Sequence, residues 1–253
     1  MKNLIAVLLL LFASVSLAAA QNIQSYPVIF GADDEFRGYL AKPIGNGPFP
    51  GLIVIHEWWG LNDNIKAETD KLAKAGYAAL AVDLFRKSTT DPEEASKMVK
   101  SVDQKKANQL LVSAAGYLRA FTYVDDDRVG SIGWCFGGRQ SLMLAINDPA
   151  LAAAVIYYGK PITEPNELSK IQAPILGIFG EADDSIPMSD VNAFKQTLKD
   201  LKIRNEIYTY PGAGHAFANP TRGDSYKSEA AEDAWKKTLA FLESTLKKPK
   251  SCH

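Results

Sequence analysis

The sequence predicts an α/β fold in which a mostly parallel sheet has helices on both faces. Short, wholly apolar runs alternate along most of the chain with segments whose apolar residues recur every three or four positions. Strands that are buried on both faces are continuously apolar, and parallel neighbours need helical crossovers, so this alternation is typical of a parallel sheet. Ligands in such sheets bind beyond the carboxyl ends of the strands, and functional residues are expected there.

The predicted elements follow one another with little intervening sequence. An antiparallel pair, residues 26–30 and 38–41, precedes the central sheet and is joined across residues 31–34. Buried strands are predicted at residues 52–55, 79–82, 129–132, 153–157, 175–179 and 206–210. Helices are predicted on the apolar stripes of residues 65–73, 107–118, 142–146, 191–201 and 231–246.

The first 20 residues are typical of a secretory signal peptide. Lys2 precedes an apolar run over residues 4–12, and small residues at 18–20 predict cleavage before Gln21. The alternative is a membrane anchor, but the run is short and no stop-transfer charges follow it. We therefore expect an exported protein, periplasmic or extracellular, with one α/β domain over residues 21–246 and a mobile, lysine-rich tail over residues 247–253.

Composition narrows the classes of partner. The chain is 47% hydrophobic and 23% charged, and its formal net charge is −1. It therefore has no basic field to attract nucleic acid or an anionic membrane. Three scattered histidines and the lack of a phosphate-binding loop imply no metal and no cofactor. We expect a monomer that acts on a small molecule and has no membrane association after signal removal.

The third buried strand of the central sheet leads into the sequence Gly-Trp-Cys-Phe-Gly at residues 133–137, and a helix follows at once. This pattern is the nucleophile elbow of the α/β-hydrolase fold with cysteine in the place of serine. The glycines permit the close crossing of strand and helix, and the helix N-terminus favours a thiolate. The alternative is that Cys135 is a small, buried and inert residue.

The partners of Cys135 distinguish these two interpretations. Three carboxylates, Glu181, Asp183 and Asp184, follow the strand at residues 175–179. His215 lies in a glycine-rich loop after the last strand, and the other two histidines are at position 56 and in the tail. The order nucleophile, acid, histidine is that of α/β-hydrolases, so it favours a catalytic triad in which the histidine accepts the thiol proton.

A tetrahedral intermediate would need hydrogen-bond donors for its oxyanion. The backbone N–H of Phe136, directly after the nucleophile, is one candidate. The backbone N–H of Trp58, in the loop after the first central strand, is the second.

The second cysteine, Cys252, lies in the predicted tail. A disulfide between Cys252 and Cys135 is possible in an exported protein, and it would block the nucleophile. We expect Cys135 to be a free thiol.

Over residues 26–246 the chain resembles the dienelactone hydrolase family. The motifs that carry the resemblance are His-Glu-Trp-Trp-Gly at 56–60, Gly-Tyr-Ala at 76–78, Asp-Leu-Phe at 83–85, the Cys135 elbow, Tyr-Tyr-Gly at 157–159, Asp-Asp-Ser-Ile-Pro at 183–187 and Gly-His-Ala-Phe at 214–217. The resemblance implies that Asp183 is the acid of the triad and that Glu57 approaches the thiol and helps to ionise it. A structural pairing of Glu57 with an arginine is the alternative.

The resemblance also implies how a substrate is bound. The family's reaction opens an unsaturated lactone to a dicarboxylic product, and arginines are suited to bind a carboxylate. Expected substrate-binding residues are Arg86, Trp59, Tyr158 and Arg222. The sequence departs from the family at Asn219, where an arginine is expected.

These observations predict a cysteine-dependent carboxylic ester hydrolase, similar to carboxymethylenebutenolidase, that forms a covalent acyl-enzyme with a small ester or lactone. The alternatives are a thioesterase or peptidase, and a non-catalytic binding protein on the same scaffold.

Overall fold

The computed structural model describes residues 22–31 and 36–247, and an eight-stranded sheet forms its centre. The strands are β1 Ile23–Phe30, β2 Phe36–Pro43, β3 Phe49–Ile55, β4 Ala78–Val82, β5 Val124–Trp134, β6 Ala154–Tyr157, β7 Ile175–Gly180 and β8 Asn205–Tyr210. Their order is β1-β2-β4-β3-β5-β6-β7-β8. Strands β3 to β8 pair in parallel, and β2 is antiparallel to both β1 and β4. The predicted mostly parallel sheet and its antiparallel pair are confirmed.

Seven α-helices of the described residues pack around this sheet. They are α1 Asp63–Lys74, α2 Pro92–Lys100, α3 Gln104–Arg119, α4 Phe136–Asn147, α5 Pro165–Leu168, α6 Met188–Asp200 and α7 Ser228–Leu242, and a π-helical turn, Glu243–Lys247, follows α7. The apolar stripes did not predict α2 and α5. Helix α2 buries only Ala95 and Met98, which is too few residues for a periodic pattern. The sequence nevertheless contains a signal for the start of α2, because Asp91 caps the helix and Pro92 is its first residue.

The core lies between the sheet and the helices. Residues 52–55 of β3 and residues 78–82 of β4 are completely buried. Helix α1 buries Ile65, Thr69, Leu72 and Ala73, which is the predicted stripe. Each fully buried leucine or isoleucine contributes about 1.5–3 kcal/mol to folding. This packing fixes the carboxyl ends of β3, β5, β7 and β8, from which the site is built.

Several predictions concern parts of the chain outside the described residues. They are the signal peptide at residues 1–20, the turn after β1, and the tail that contains Cys252. Across residues 22–31 and 36–247, the structure contains no helix with the length and apolarity needed to cross a membrane.

Candidate active site

Cys135 occupies a sharp turn between β5 and α4. Its backbone angles are φ 55° and ψ −117°, a conformation that costs a non-glycine residue about 1–3 kcal/mol. A Cβ atom on Gly133 would lie 2.1 Å from the carbonyl oxygen of Gly137, so strand and helix cross too closely for a side chain there. The crossing holds the strained turn in place and sets Cys135 at the N-terminus of α4, where partial positive charge favours an anion.

Three side chains are hydrogen bonded in series across this end of the sheet. The Cys135 Sγ lies 3.0 Å from the His215 Nε2, and the His215 Nδ1 lies 2.7 Å from the Asp183 Oδ2. The other carboxylate oxygen of Asp183 accepts hydrogen bonds from the Ser185 backbone N–H at 2.9 Å and hydroxyl at 2.6 Å. Because Nδ1 donates to the carboxylate, Nε2 is free to exchange a proton with the sulfur.

The electrostatics of the series favour a protonated imidazole. Burial lowers the pKa of His215, but the hydrogen bonds and negative charges of Asp183 and Cys135 outweigh it and raise the pKa to about 10. Burial raises the pKa of Asp183, but its hydrogen bonds with His215 and Ser185 dominate and hold it below its usual value. An imidazolium between carboxylate and sulfur is therefore stable at neutral pH.

The loop that carries Asp183 and the loop that carries His215 are hydrogen bonded to each other. The Ala182 N–H donates to the Ala213 carbonyl at 2.9 Å, which joins the loop after β7 to the loop after β8. Asp183 is buried beside His215, whereas its neighbour Asp184 is exposed. The structure thus brings Asp183, and not Asp184, to the imidazole.

Glu57 is buried in the loop after β3, with 2% of its surface exposed. Its Oε2 accepts a short hydrogen bond from the Asn219 side-chain N–H. The Asn219 Oδ1 accepts from the Thr221 backbone N–H at 2.9 Å and hydroxyl at 2.7 Å, so the amide must present its NH₂ group to Glu57. The side chain that donates to Glu57 is therefore a neutral amide. Burial raises the pKa of Glu57 to about 6, although the Asn219 hydrogen bond opposes the shift.

Replacing Glu57 with glutamine is expected to stabilise the protein at alkaline pH. A carboxyl group with a raised pKa destabilises the fold as the pH rises from about 4.5 to 6, and the full loss is present above that window. The shift corresponds to about 2 kcal/mol. We expect Glu57→Gln to gain about this much at pH 8 and little at pH 4, as measured by urea unfolding. Equal destabilisation at both pH values would contradict the interpretation.

The two predicted oxyanion donors are both available. Neither the Phe136 N–H, at the first residue of α4, nor the Trp58 N–H donates a hydrogen bond to any described residue. Both residues line the cavity into which Cys135 opens. The backbone therefore offers two donors beside the nucleophile, as an oxyanion hole requires.

Cys135 opens into a cavity of about 620 Å³. Its walls include the predicted substrate-binding residues Trp59, Tyr158 and Arg222, and the Arg222 guanidinium lies 4.9 Å from the centre of the Trp59 ring. Three further cations line it: Lys100 from α2, Arg139 from α4, and Lys160 after β6. Glu57 is the sole carboxylate among the described lining residues, so the cavity carries an excess of positive charge.

Arg86, the remaining predicted substrate-binding residue, does not line this cavity. It is exposed, has a positive φ of 58°, and borders a separate cavity beside Asp83 and Lys87. The Asp83 Oδ1 accepts from the backbone N–H groups of Phe85 and Arg86 at 3.1 and 2.8 Å, which fixes the turn at Arg86. The structure therefore places Arg86 apart from the other three predicted substrate-binding residues.

Within residues 22–31 and 36–247, no three His, Cys, Asp or Glu side chains converge to form a metal site. Tyr158 has φ 35° and its ring centre lies 5.3 Å from that of His215.

The chain is similar to proteins whose family is known. Residues 36–246 match the model of the dienelactone hydrolase family. A "putative carboxymethylenebutenolidase" from Synechocystis is 34% identical over 84% of this chain and 93% of that protein. A "probable 2-oxo-3-(5-oxofuran-2-ylidene)propanoate lactonase" from Bradyrhizobium is 33% identical over 88% and 96%.

Solved structures show the same relationship. The crystal structure of a "dienelactone hydrolase-like promiscuous phosphotriesterase" from metagenomic libraries is 26% identical, with a TM-score of 0.80 over 88% of this chain and 98% of that one. The chain therefore belongs to the dienelactone hydrolase family and is a carboxylic ester hydrolase with an α/β-hydrolase fold.

Proposed function

We propose that the chain hydrolyses small esters or lactones through a triad of Cys135, His215 and Asp183 and a covalent acyl-enzyme. The observation that carries the proposal is the continuous series of hydrogen bonds from sulfur to imidazole to carboxylate. The strained turn at Cys135 and the two free amides beside it support the same function, because both features serve a nucleophile attacking a carbonyl.

The reaction proceeds in two steps. The proton of the Cys135 thiol passes to His215 Nε2 before the substrate reacts, and the resulting thiolate attacks the carbonyl carbon of the substrate. The oxyanion of the tetrahedral intermediate accepts from the Trp58 and Phe136 N–H groups. The carbon–oxygen bond then breaks, and the leaving oxygen takes the proton from His215. In a lactone this oxygen stays attached to the acyl group.

The acyl-enzyme is a thioester that water hydrolyses. His215 accepts a proton from the water as its oxygen attacks the thioester carbonyl. The second tetrahedral intermediate expels the Cys135 thiolate and releases a carboxylic acid. Asp183 holds the imidazole in the tautomer that both steps need. Glu57 lines the cavity beside the nucleophile, and its buried carboxylate favours a charged His215.

The cavity favours small substrates that bear a negative charge. Its volume of about 620 Å³ is within the usual range for small-molecule sites. Arg222 on Trp59 and the lysines at 100 and 160 supply positive charge to its walls. Assays should therefore include an enol lactone with a free carboxylate beside a neutral aryl acetate.

The acid of the triad can be tested with a matched pair of variants. Asp183→Asn is expected to lower kcat/KM for both substrates by at least about 10²-fold, because an amide stabilises the wrong imidazole tautomer. Asp184→Asn removes an equal charge from the exposed neighbouring position and should leave activity near that of the unmodified protein. Stopped-flow measurement of an initial burst of nitrophenol reports the acyl-enzyme. Equal activity of both variants would overturn the assignment of Asp183.

Export is a separate proposal, supported by the charged, apolar and small-residue segments of residues 1–20. Amino-terminal sequencing of the protein from a periplasmic fraction or culture medium should give Gln21 as the first residue. Recovery of uncleaved chain from the cytoplasm alone would contradict export.

A further inference from the structure

The hydroxyl group of Tyr158 is buried and has no hydrogen-bond partner among the described residues. Buried phenol groups usually find a partner, because an unpaired one has lost its bonds to water. The hydroxyls of Tyr77 and Tyr123 are also buried and unpaired. Of these three tyrosines, Tyr158 alone lines the cavity of Cys135. Its unpaired donor therefore needs an explanation that involves the site.

The backbone around Tyr158 is anchored on two sides. Its N–H donates to the Ile178 carbonyl at 2.7 Å, and the preceding carbonyl, of Tyr157, accepts from the Cys135 N–H at 2.9 Å. The φ of 35° is unusual for a residue with a side chain. Strain of this kind persists only where the surrounding structure imposes it, and it is concentrated at functional sites. The position of the phenol is thus tied to the backbone of the nucleophile itself.

The surroundings make the hydroxyl a donor. Burial, followed by the negative charges of Glu57 and Cys135, raises the pKa of Tyr158 well above its usual value. The phenol therefore keeps its proton at neutral pH. One oxygen of Glu57 already accepts from Asn219, whereas the Cys135 sulfur has only His215 as a partner. A charged sulfur can accept a second, charge-assisted hydrogen bond.

We propose that the Tyr158 hydroxyl donates a hydrogen bond to the Cys135 sulfur whenever that sulfur is a thiolate, and that Tyr158 is a catalytic residue. The proposal rests on the proposed function, because it requires a thiolate nucleophile. The hydrogen bond forms as the thiol proton moves to His215 and the sulfur shifts toward the ring. It is lost in the thioester and forms again when the thiolate is expelled. Tyr158 keeps its proton throughout, so the balance of the reaction is unchanged.

The substitution Tyr158→Phe tests this proposal, with Tyr77→Phe as a matched control. Both remove a buried, unpaired hydroxyl, but Tyr77 lies outside the cavity, beside Lys247. The readout is the second-order rate of alkylation of Cys135 by iodoacetamide between pH 4 and 10, because only the thiolate reacts. The other titratable and charged groups that line the cavity stay the same in both variants: Glu57, His215, Lys100, Lys160, Arg139 and Arg222.

Tyr158→Phe is expected to move the midpoint of this profile up by about one pH unit. Below the midpoint the alkylation rate should fall about tenfold, and kcat for an aryl acetate should fall with it. Tyr77→Phe should change neither. An unchanged profile in Tyr158→Phe would overturn the proposal.

Two further measurements separate a direct effect from an indirect one. In the Glu57→Gln background the shift caused by Tyr158→Phe should persist; its disappearance would mean that the phenol acts through Glu57 and would overturn the proposal. The urea midpoint of Tyr158→Phe should not fall at pH 4, where the sulfur is protonated and the hydroxyl has no bond to lose. A fall in stability at this pH together with lost activity would show a structural role and would overturn the proposal as well.

The proposed function fails in a different way. If the unmodified protein hydrolyses no ester or lactone and its Cys135 reacts no faster than free cysteine at pH 7, the triad itself is refuted. If the unmodified protein is active and its thiol reactive, but Tyr158→Phe behaves identically, only the role of Tyr158 is refuted.

Discussion

Replacing Cys135 with alanine is expected to lower kcat/KM for aryl acetates and enol lactones by about 10⁴-fold or more. The sulfur is the nucleophile in both steps, and no other described Cys, Ser or Thr side chain is hydrogen bonded to His215 Nε2. The two backbone donors and the cavity would remain, so the variant should still bind substrate. Measurement of kcat/KM in parallel with inhibition by a slowly reacting substrate would separate these two effects.

The chain offers a matched control for this loss. Cys252→Ala removes the other cysteine and should leave kcat/KM unchanged. It also tests the alternative of a disulfide between the two cysteines, because bridged protein would need a reductant for activity and Cys252→Ala would abolish that need. Retention of activity by Cys135→Ala would refute the cysteine mechanism.

Replacing Gly133 with alanine is expected to destabilise the fold by about 3–5 kcal/mol. The added methyl group would lie 2.1 Å from the Gly137 carbonyl oxygen and 2.3 Å from its carbon, and both are backbone atoms that cannot rotate away. Strand β5 and helix α4 would have to separate, and this would displace Cys135 from His215. We therefore expect soluble variant protein to have little activity and a much lower urea midpoint.

Gly116→Ala is the control for this substitution. Gly116 is an exposed residue of α3, and a Cβ there would meet nothing within 4 Å. Alanine is the better helix former, so this variant should gain about 0.5–1 kcal/mol with unchanged activity. Equal stability of the two variants would show that the crossing at the elbow is not tight.

The fold could be predicted from the sequence because its local signals agree. The central strands are buried on both faces and are therefore continuously apolar, as residues 52–55 and 78–82 illustrate. Helix α1 buries one regular stripe. Helix α2 escaped prediction because it covers the edge of a cavity and needs few apolar residues. Its capping residues, Asp91 and Pro92, were the signal that could have revealed it.

The series of Cys135, His215 and Asp183 was predictable for a topological reason. Each residue follows the carboxyl end of a parallel strand, and those ends meet at one edge of the sheet. The fold thus brings together residues up to 80 positions apart.

The contacts of Glu57 and Arg86 were not predictable in this way. Asn219 lies 162 residues from Glu57, and the Thr221 groups that orient its amide are set by the loop conformation. Arg86 lies in a turn that is hydrogen bonded to Asp83 and borders a separate cavity. Such pairings depend on how loops pack, and no periodic pattern in the sequence records them.

Helix α2 supplies Ser96, Val99 and Lys100 to the wall of the cavity, but it carries no member of the triad. The loop leading to it is hydrogen bonded to the loop after β3, because the Thr89 N–H donates to the Trp59 carbonyl at 3.0 Å. Part of the cavity wall is thus encoded in a stretch of the gene that encodes no member of the triad. We expect substitutions in this helix to change which substrates fit the cavity without touching the triad.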